Sequence, residues 1–319
     1  MLSRVADNLY WMSRYLERAE HTARVMGVQL NLMLEQDPRT SDRRWLRTLA
    51  ALGHSAPAAA DAITEHPDPF ALARNHALRQ VTGGIASARE NARQVREQIS
   101  SEMWEHLNRL FHEVKRIEAA GVWTRQPLDF VSVILESSHL FQGVTDSTMN
   151  HGEGWQFIQV GRFIERASAT ARLLDLYFRE FRESLREAMD SGVHMEWIGL
   201  LRSCTAFEAY CKVYTADLRP ERVAEFLLLN AEFPHSVRFA ADSVQRSLDA
   251  INEVASSKRS ARVAKMAGRL RAGLIFTPLE EIVASLSEFF ADIQKQCARI
   301  HSAIYEVYIT YPIEAAIEA

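Results

Sequence analysis

A fourteen-residue segment near the start of the chain occurs a second time, 148 residues later. The first copy runs from Ser13 to Met26 and the second from Gly161 to Leu174. Seven positions are identical, and four more exchange one apolar residue for another. Amphipathic helices share apolar spacing, but amphipathicity leaves the polar positions free, so polar identities indicate common origin. Those identities include Arg14/Arg162, Glu17/Glu165, Thr22/Thr170 and Arg24/Arg172.

The correspondence continues beyond this segment at nearly constant spacing. Trp45 matches Trp197, Pro69 matches Pro220 and Pro127 matches Pro278, with offsets of 151 or 152 residues. We therefore predict two tandem helical repeats, residues 1–150 and 151–319, either as two domains or packed as one compact domain. Two copies of one unit are expected to pack about a pseudo-two-fold axis, because a self-complementary surface favours that arrangement.

Hydrophobic periodicity predicts an all-α fold, a multi-helix bundle. Val5, Leu9, Met12 and Leu16 begin a seam with alternating spacings of four and three, which continues to Met33 and ends near Asp37-Pro38. All nine prolines lie between or at the ends of helical stretches, and no alternating β-branched run indicates a strand. The other predicted helices span 41–53, 69–80, 84–120, 127–150, 154–190, 194–217, 220–231, 235–256, 258–275 and 278–310.

Composition indicates a globular protein without a global attraction to polyanions. Hydrophobic residues make up 47% of the chain and charged residues 24%, and the net charge is -4. Nucleic acids and anionic membranes usually require a basic surface, so neither is an expected partner. Three cysteines, Cys204, Cys211 and Cys297, fit neither a zinc site nor a secreted disulfide framework. With no signal peptide or apolar span evident, we expect a cytoplasmic protein.

The repeated helix carries a charged stripe that admits two interpretations. From spacing alone, a solvated face with weak i,i+3 and i,i+4 pairs, such as Arg14–Glu17 and Glu20–Arg24, is the simpler one. Alternatively, carboxylates orient guanidinium groups toward a partner carboxylate or phosphate, or toward the opposite repeat. The candidate binding or repeat-interface residues are Arg14, Glu17, Arg18, His21, Arg24, Arg162, Glu165, Arg166 and Arg172.

Several separated segments together resemble the bacterial alpha-E family, which is all-helical and has a Glu-Arg motif. They are residues 9–24, 91–105, 161–167 and 227–239, in family order over nearly the whole chain. The resemblance places the motif on Glu17-Arg18 and Glu165-Arg166.

The resemblance implies partners more than a reaction. Family members are encoded with, or fused to, circularly permuted ATP-grasp proteins, and often accompany transglutaminase-like proteins and a proteasome-like β-subunit. ATP-grasp enzymes activate a carboxylate as an acyl phosphate and transfer it to an amine. The resemblance thus implies a non-catalytic helical companion of a peptide or amide ligase that organises the complex or presents a carboxylate-bearing substrate. The alternative is an independent transferase or hydrolase acting on the ligated peptide.

Other candidate sites are weaker. A di-metal helical bundle needs two Glu-x-x-His motifs, and this chain has one, Glu136 to His139, with Ser287 and Phe290 at the aligned positions. No Gly-rich phosphate loop is present, so no metal or cofactor is expected. Cys204 and Cys211 are interpreted as buried small hydrophobes. His151 and Glu153 form a secondary candidate on a turn, although a helix-capping connection is the simpler interpretation.

Overall fold

Two long helices, α1 (Ser3–Met33) and α7 (Glu153–Phe181), pack against each other in the computed structural model. Each carries small residues at the contact. A Cβ atom at Gly161 would collide with the Tyr10 carbonyl oxygen, so this crossing requires glycine. The structure describes residues 1, 3–33, 41–53, 68–181, 191–215, 217–255 and 257–309.

The prediction of an all-α fold is confirmed. The described ranges contain fourteen α-helices and no strand. Besides α1 and α7, the helices are α2 (Ser41–Ala51), α3 (Pro69–Gln94), α4 (Ser101–Ala119), α5 (Val122–Arg125), α6 (Pro127–Thr148), α8 (Ser191–Ser203), α9 (Phe207–Tyr214), α10 (Pro220–Leu229), α11 (Val237–Ala255), α12 (Lys258–Phe276), α13 (Leu279–Ala284) and α14 (Leu286–Ile304). One turn of 3₁₀ helix, Arg96–Gln98, precedes α4, and a π-helical turn, Tyr305–Ile309, follows α14.

The remaining helices are arranged around the α1–α7 pair. Helices α3 and α6 pack on α1, and α4 packs on both of them. On the other side, α11 and α14 pack on α7, while α12 packs on both. One hydrophobic core joins the two sets, and it contains Trp45 and Trp197 as its largest fully buried side chains.

Proline starts several helices where the sequence predicted boundaries. Pro69, Pro127 and Pro220 occupy the first turn of α3, α6 and α10, where a missing N–H costs no intrahelical bond. Asp68 caps α3 by accepting a hydrogen bond from the Ala71 amide at 2.9 Å. The predicted end of α1 at Asp37-Pro38 lies outside the described residues.

Several predicted boundaries were wrong. The predicted gap between helices at residues 81–83 does not exist, because these residues lie inside α3. The break comes at residues 95–100, where Ser100 caps α4 through the Met103 amide. The predicted helix 194–217 is two helices, because Thr205 adopts a left-handed conformation between α8 and α9. The predicted helix 278–310 is likewise divided at Ser285 into α13 and α14.

No helix in the described ranges has the length and apolar content needed to cross a membrane.

Candidate functional site at the α1–α7 crossing

Glu17 of α1 is the centre of a buried ion pair with α7. Its two carboxylate oxygens accept hydrogen bonds from Arg166 Nε at 2.5 Å and Arg166 Nη2 at 2.9 Å. Each residue is only 4% exposed. Arg162 Nε lies 3.8 Å from the same carboxylate, and Arg166 Nη1 also donates to the Pro234 carbonyl at 3.1 Å. Such bidentate pairing fixes both side chains in a single arrangement.

Glu165 of α7 forms the second centre, with α1. Arg18 donates from Nε and Nη2 at 2.7 and 3.1 Å, and Arg14 donates from Nε at 2.8 Å. Arg14 also donates to His301 Nδ1 of α14 at 2.9 Å, and the His301 ring stacks on Tyr10. The Arg18 side chain is 39% exposed, so this centre reaches solvent.

The two centres are reciprocal. The glutamate of each Glu-Arg motif accepts hydrogen bonds from the arginine of the other, and Arg14 and Arg162 approach the opposite glutamate from equivalent positions. A two-fold relation between the copies would produce this pattern. The pseudo-symmetric repeats and the domain limits 1–150 and 151–319 stay predictions, which superposition of the two halves would test.

These charged side chains are buried, whereas helical spacing alone favoured a solvent-exposed charged face. The expected Arg14–Glu17 pair is absent, because Arg14 turns toward Glu165 across the helix crossing. The Glu20–Arg24 pair is present and buried, with His139 Nε2 3.3 Å from Arg24 Nη2. Helical spacing alone does not reveal that a second helix covers the charged face.

A polar cavity of about 320 Å³ opens beside both centres. We call it the arginine cavity. Four arginines and three glutamates line it, together with His21, Thr22, Gln80, Thr170, Ser203, Cys204 and His235. The lining arginines are Arg14, Arg18, Arg166 and Arg172, and the glutamates are Glu17, Glu20 and Glu165.

The arginine cavity contains polar groups without partners among the described residues. Each lining glutamate already accepts from an arginine, whereas Arg172 makes no hydrogen bond or ion pair there and lies beside Gly53. Ser203 Oγ, in a residue 1% exposed, and His21 Nε2 are buried and unbonded. Buried polar groups are normally satisfied, so these donors are available to a ligand or to water.

Burial shifts the pKa values around this cavity. Burial lowers the pKa of His21 to about 4 despite the nearby Glu17, so the ring is neutral at pH 7. Burial also lowers the pKa of Arg172, against the attraction of Glu165. For Glu165, burial acts to raise the pKa, but Arg14 and Arg18 outweigh it and hold the pKa at about 2. Glu165 therefore remains ionised and bound to Arg14 and Arg18 at pH 7.

A second cavity, of about 370 Å³, lies near the Glu17 centre. We call it the phenylalanine cavity. Its walls come from α1, α6, α7, α11 and the segment before α11, and include Leu16, Phe141, Ile158, Phe163, Pro234 and Phe239. Its polar lining includes Glu17, Ser138, Gln142, Asp146, Gln159 and Arg162.

The secondary candidates lie apart from both cavities. His151 stacks on Trp155 with ring centroids 4.3 Å apart, and Glu153 accepts a hydrogen bond from the Met1 amino group at 2.8 Å. Both contacts fit a connection between helices. Among the described residues, no group of three His, Cys, Asp or Glu side chains is placed to hold a metal ion. His139, the histidine of the Glu136 motif, faces Arg24 and Glu20 instead.

Sequence reasoning missed several residues of the arginine cavity, among them Ser203 and His235. Ser203 was unremarkable in the sequence, since one serine on an apolar helix carries no signal. His235 lies in the 227–239 segment, which the resemblance singled out. The bend there presents the His235 carbonyl to Thr170 Oγ1 at 3.1 Å and the Pro234 carbonyl to Arg166.

The family model for Alpha-E, described as "a predicted alpha-helical domain with a conserved ER motif", matches residues 1–309. The chain belongs to the Alpha-E family. The dipeptide Glu-Arg occurs three times, and two of these, Glu17-Arg18 and Glu165-Arg166, form the reciprocal pairs. In the third, Glu221-Arg222 of α10, the arginine binds Asp217 instead.

The Alpha-E chain is similar to "uncharacterized" proteins of Mycobacterium bovis and of two strains of Mycobacterium tuberculosis. Each is 25% identical over 332 aligned positions, which cover 95% of this chain and 36% of the relative. The chain thus spans about a third of the length of these relatives. No solved structure matches it significantly.

Proposed function

We propose that this Alpha-E protein is the helical companion of an ATP-grasp-type carboxylate–amine ligase, and that its arginine cavity holds a carboxylate-bearing group of the ligase substrate. In this proposal the Glu-Arg motifs brace the two long helices, and Arg172, Ser203 and His21 recognise the ligand. The Arg172 guanidinium, which has no hydrogen-bond or ion-pair partner among the described residues, is the observation that carries the proposal.

Charge balance favours an anionic ligand. Glu17, Glu20 and Glu165 are each paired with another arginine, so Arg172 contributes a positive charge that has no ion-pair partner among the described residues. A carboxylate would accept hydrogen bonds from this guanidinium and from the Ser203 hydroxyl, and neutral His21 has one N–H that could donate. Because the site is partly buried, such bonds are stronger than they would be in water.

The length of the relatives also supports a companion role. A match confined to about a third of each mycobacterial protein leaves room for additional domains in the same chain. A ligase domain fused to an Alpha-E domain would bring the arginine cavity close to the reacting carboxylate. The transglutaminase-like and proteasome-like β-subunit partners rest on the family resemblance alone.

The chemistry of the arginine cavity favours binding over an independent transferase or hydrolase. A cysteine nucleophile must reach its thiolate form, but burial raises the pKa of Cys204 to about 12. Burial likewise keeps His21 neutral, with a pKa far below the range of an efficient base at pH 7.

Affinity purification of the tagged chain from its native cell, followed by mass spectrometry, tests the companion role. We expect an ATP-grasp protein in near-stoichiometric amount, and faster amide-forming ATP turnover when the purified chain is added to it. Arg172→Gln should preserve co-purification but reduce the stimulated turnover at least tenfold. Arg299→Gln, at an exposed position on α14, is the matched control and should change neither.

Two results would contradict the proposal. Recovery of the bait alone would remove the ligase partner. Undiminished stimulation by Arg172→Gln would remove the carboxylate site. Turnover of an amide substrate by the purified chain alone would favour the independent enzyme instead.

A further inference from the structure

The phenylalanine cavity contains one guanidinium that lacks a full carboxylate partner. Arg162 donates from Nη2 to Gln142 Oε1 at 2.6 Å, but its Nε is 3.8 Å from Glu17, beyond hydrogen-bond distance. That Nε atom is buried and has no hydrogen-bond partner among the described residues, although the Arg162 side chain as a whole is 23% exposed. The available donor therefore belongs to a charged group that is still reachable from solvent.

Glu17 cannot satisfy this arginine as well. Both of its oxygens already accept from Arg166 at 2.5 and 2.9 Å. Burial and the neighbouring Arg166 lower the pKa of Arg162 to about 10, with only partial compensation from Glu17 and Asp146. An additional carboxylate at Arg162 would relieve this repulsion.

The rest of the cavity surface is largely hydrocarbon. Phe141 and Phe163 extend from α6 and α7, and Phe239 of α11 packs near Phe163 with ring centroids 5.7 Å apart. Leu16, Ile158 and Pro234 complete the apolar wall. At about 370 Å³ the cavity lies within the ~300–1,000 Å³ range of small-molecule sites, which usually combine apolar walls with a few polar anchors.

We propose that the phenylalanine cavity binds a small amphipathic carboxylate, with its carboxylate on Arg162 and its apolar body against the three phenylalanines. Two sources share this chemistry: a hydrophobic amino acid with a free α-carboxylate, and a short acyl chain. This site shares only Glu17 with the lining of the arginine cavity, and it does not depend on a ligase partner.

Calorimetric titration of the purified chain with three defined probes tests the proposal. The probes are N-acetyl-L-phenylalanine, its primary amide, and octanoate. We expect at least one carboxylate probe to bind, and the amide to bind at least tenfold more weakly than N-acetyl-L-phenylalanine where that probe binds. Stronger binding of N-acetyl-L-phenylalanine assigns the amino-acid source, and stronger binding of octanoate assigns the acyl source.

Single substitutions test whether the probes bind in the phenylalanine cavity. Arg162→Gln should lower the affinity for the carboxylate probes at least tenfold, because the glutamine side chain carries no positive charge. Ser138→Leu should also lower this affinity, because the larger side chain fills the cavity without changing Arg162. Arg299→Gln, at an exposed position on α14, is the matched control and should leave these affinities unchanged. A loss of binding with Arg172→Gln would instead place the probe in the arginine cavity. Circular dichroism establishes that each variant is folded. If Arg162→Gln does not fold, the affinity of Ser138→Leu for the carboxylate probes tests the proposal.

The proposal is overturned if neither carboxylate binds the wild-type chain at millimolar concentration, or if N-acetyl-L-phenylalanine binds but does so no better than its amide. It is also overturned if a folded cavity variant keeps wild-type affinity, or if Arg172→Gln abolishes binding, since the ligand would then occupy the arginine cavity.

Discussion

The Glu17 and Glu165 centres contain the same residue types in reciprocal arrangement, yet their surroundings differ. Glu17 and Arg166 are almost completely buried, and the Pro234 carbonyl holds another donor of Arg166. Glu165 instead has two arginine partners, of which Arg18 is substantially exposed and Arg14 is also bound to His301. The comparison indicates that one centre acts mainly in packing, whereas the other can rearrange in water.

The bend between α10 and α11 causes part of this difference. The sequence alignment of Pro69 with Pro220 sets α3 against α10 and α11: α3 is one continuous helix, whereas residues 230–236 separate α10 from α11. Asn230 Oδ1 accepts from the Glu232 and Phe233 amides at 2.9 and 2.8 Å, which fixes the bend. The Pro234 carbonyl thereby reaches Arg166, and no equivalent bend covers Arg18.

Glu17→Gln should produce the largest effect. The substitution leaves Arg166 buried without a carboxylate, and removing one partner of a buried pair typically costs about 3–5 kcal/mol. Urea-induced unfolding measures the loss in the free energy of unfolding. A loss below about 1 kcal/mol would show that this centre behaves like an exposed pair.

Gly161→Ala should rank second. The new Cβ would collide with the Tyr10 carbonyl oxygen and separate α1 from α7, and overpacking typically costs about 1–3 kcal/mol. Gly83→Ala is a matched control on α3, because no atom lies within 4 Å of its Cβ position. That change should stabilise the chain by about 0.5–1 kcal/mol through helix propensity. Equal effects of the two substitutions on the thermal midpoint would contradict the close crossing.

Glu165→Gln should cost less than Glu17→Gln, about 1–2 kcal/mol, because exposed Arg18 can be rehydrated and Arg14 keeps its contact with His301. The same urea titration compares the two variants directly. A loss equal to or larger than that of Glu17→Gln would reverse the proposed ranking of the centres.

The smallest effect should be the pH dependence of the stability lost in Glu165→Gln. The folded-state pKa of Glu165 is about 2, below its ordinary 4.5, so its contribution is fully present above pH 4.5 and lost as pH falls toward 2. The stability gap between wild type and Glu165→Gln should therefore narrow between pH 4.5 and 2. The buried histidines contribute equally to wild type and Glu165→Gln, so their contributions cancel in the difference. A difference in stability that stays constant over this pH range would contradict the lowered pKa of Glu165.

Local patterns in the sequence determined the helices and the identity of the important motif. Apolar spacing predicted α1 and α7, prolines predicted the starts of α3, α6 and α10, and repeated polar positions singled out Glu17-Arg18 and Glu165-Arg166. These features depend on neighbours within a few residues, so the sequence reports them directly. The gap predicted at residues 81–83 was wrong, because packing of α3 against α1 keeps this stretch helical despite the weak helix propensity of Gly83 and Gly84.

The tertiary structure alone decided which charges pair and which remain available. Arg14, Arg18, Arg166 and Arg172 look equivalent as residues on amphipathic helices, but the α1–α7 crossing pairs the first three with glutamates and leaves Arg172 facing a cavity. Ser203 joins that cavity from a helix distant in the sequence. The physical reason is that ion pairing and burial depend on distances across helices, which helical periodicity does not contain.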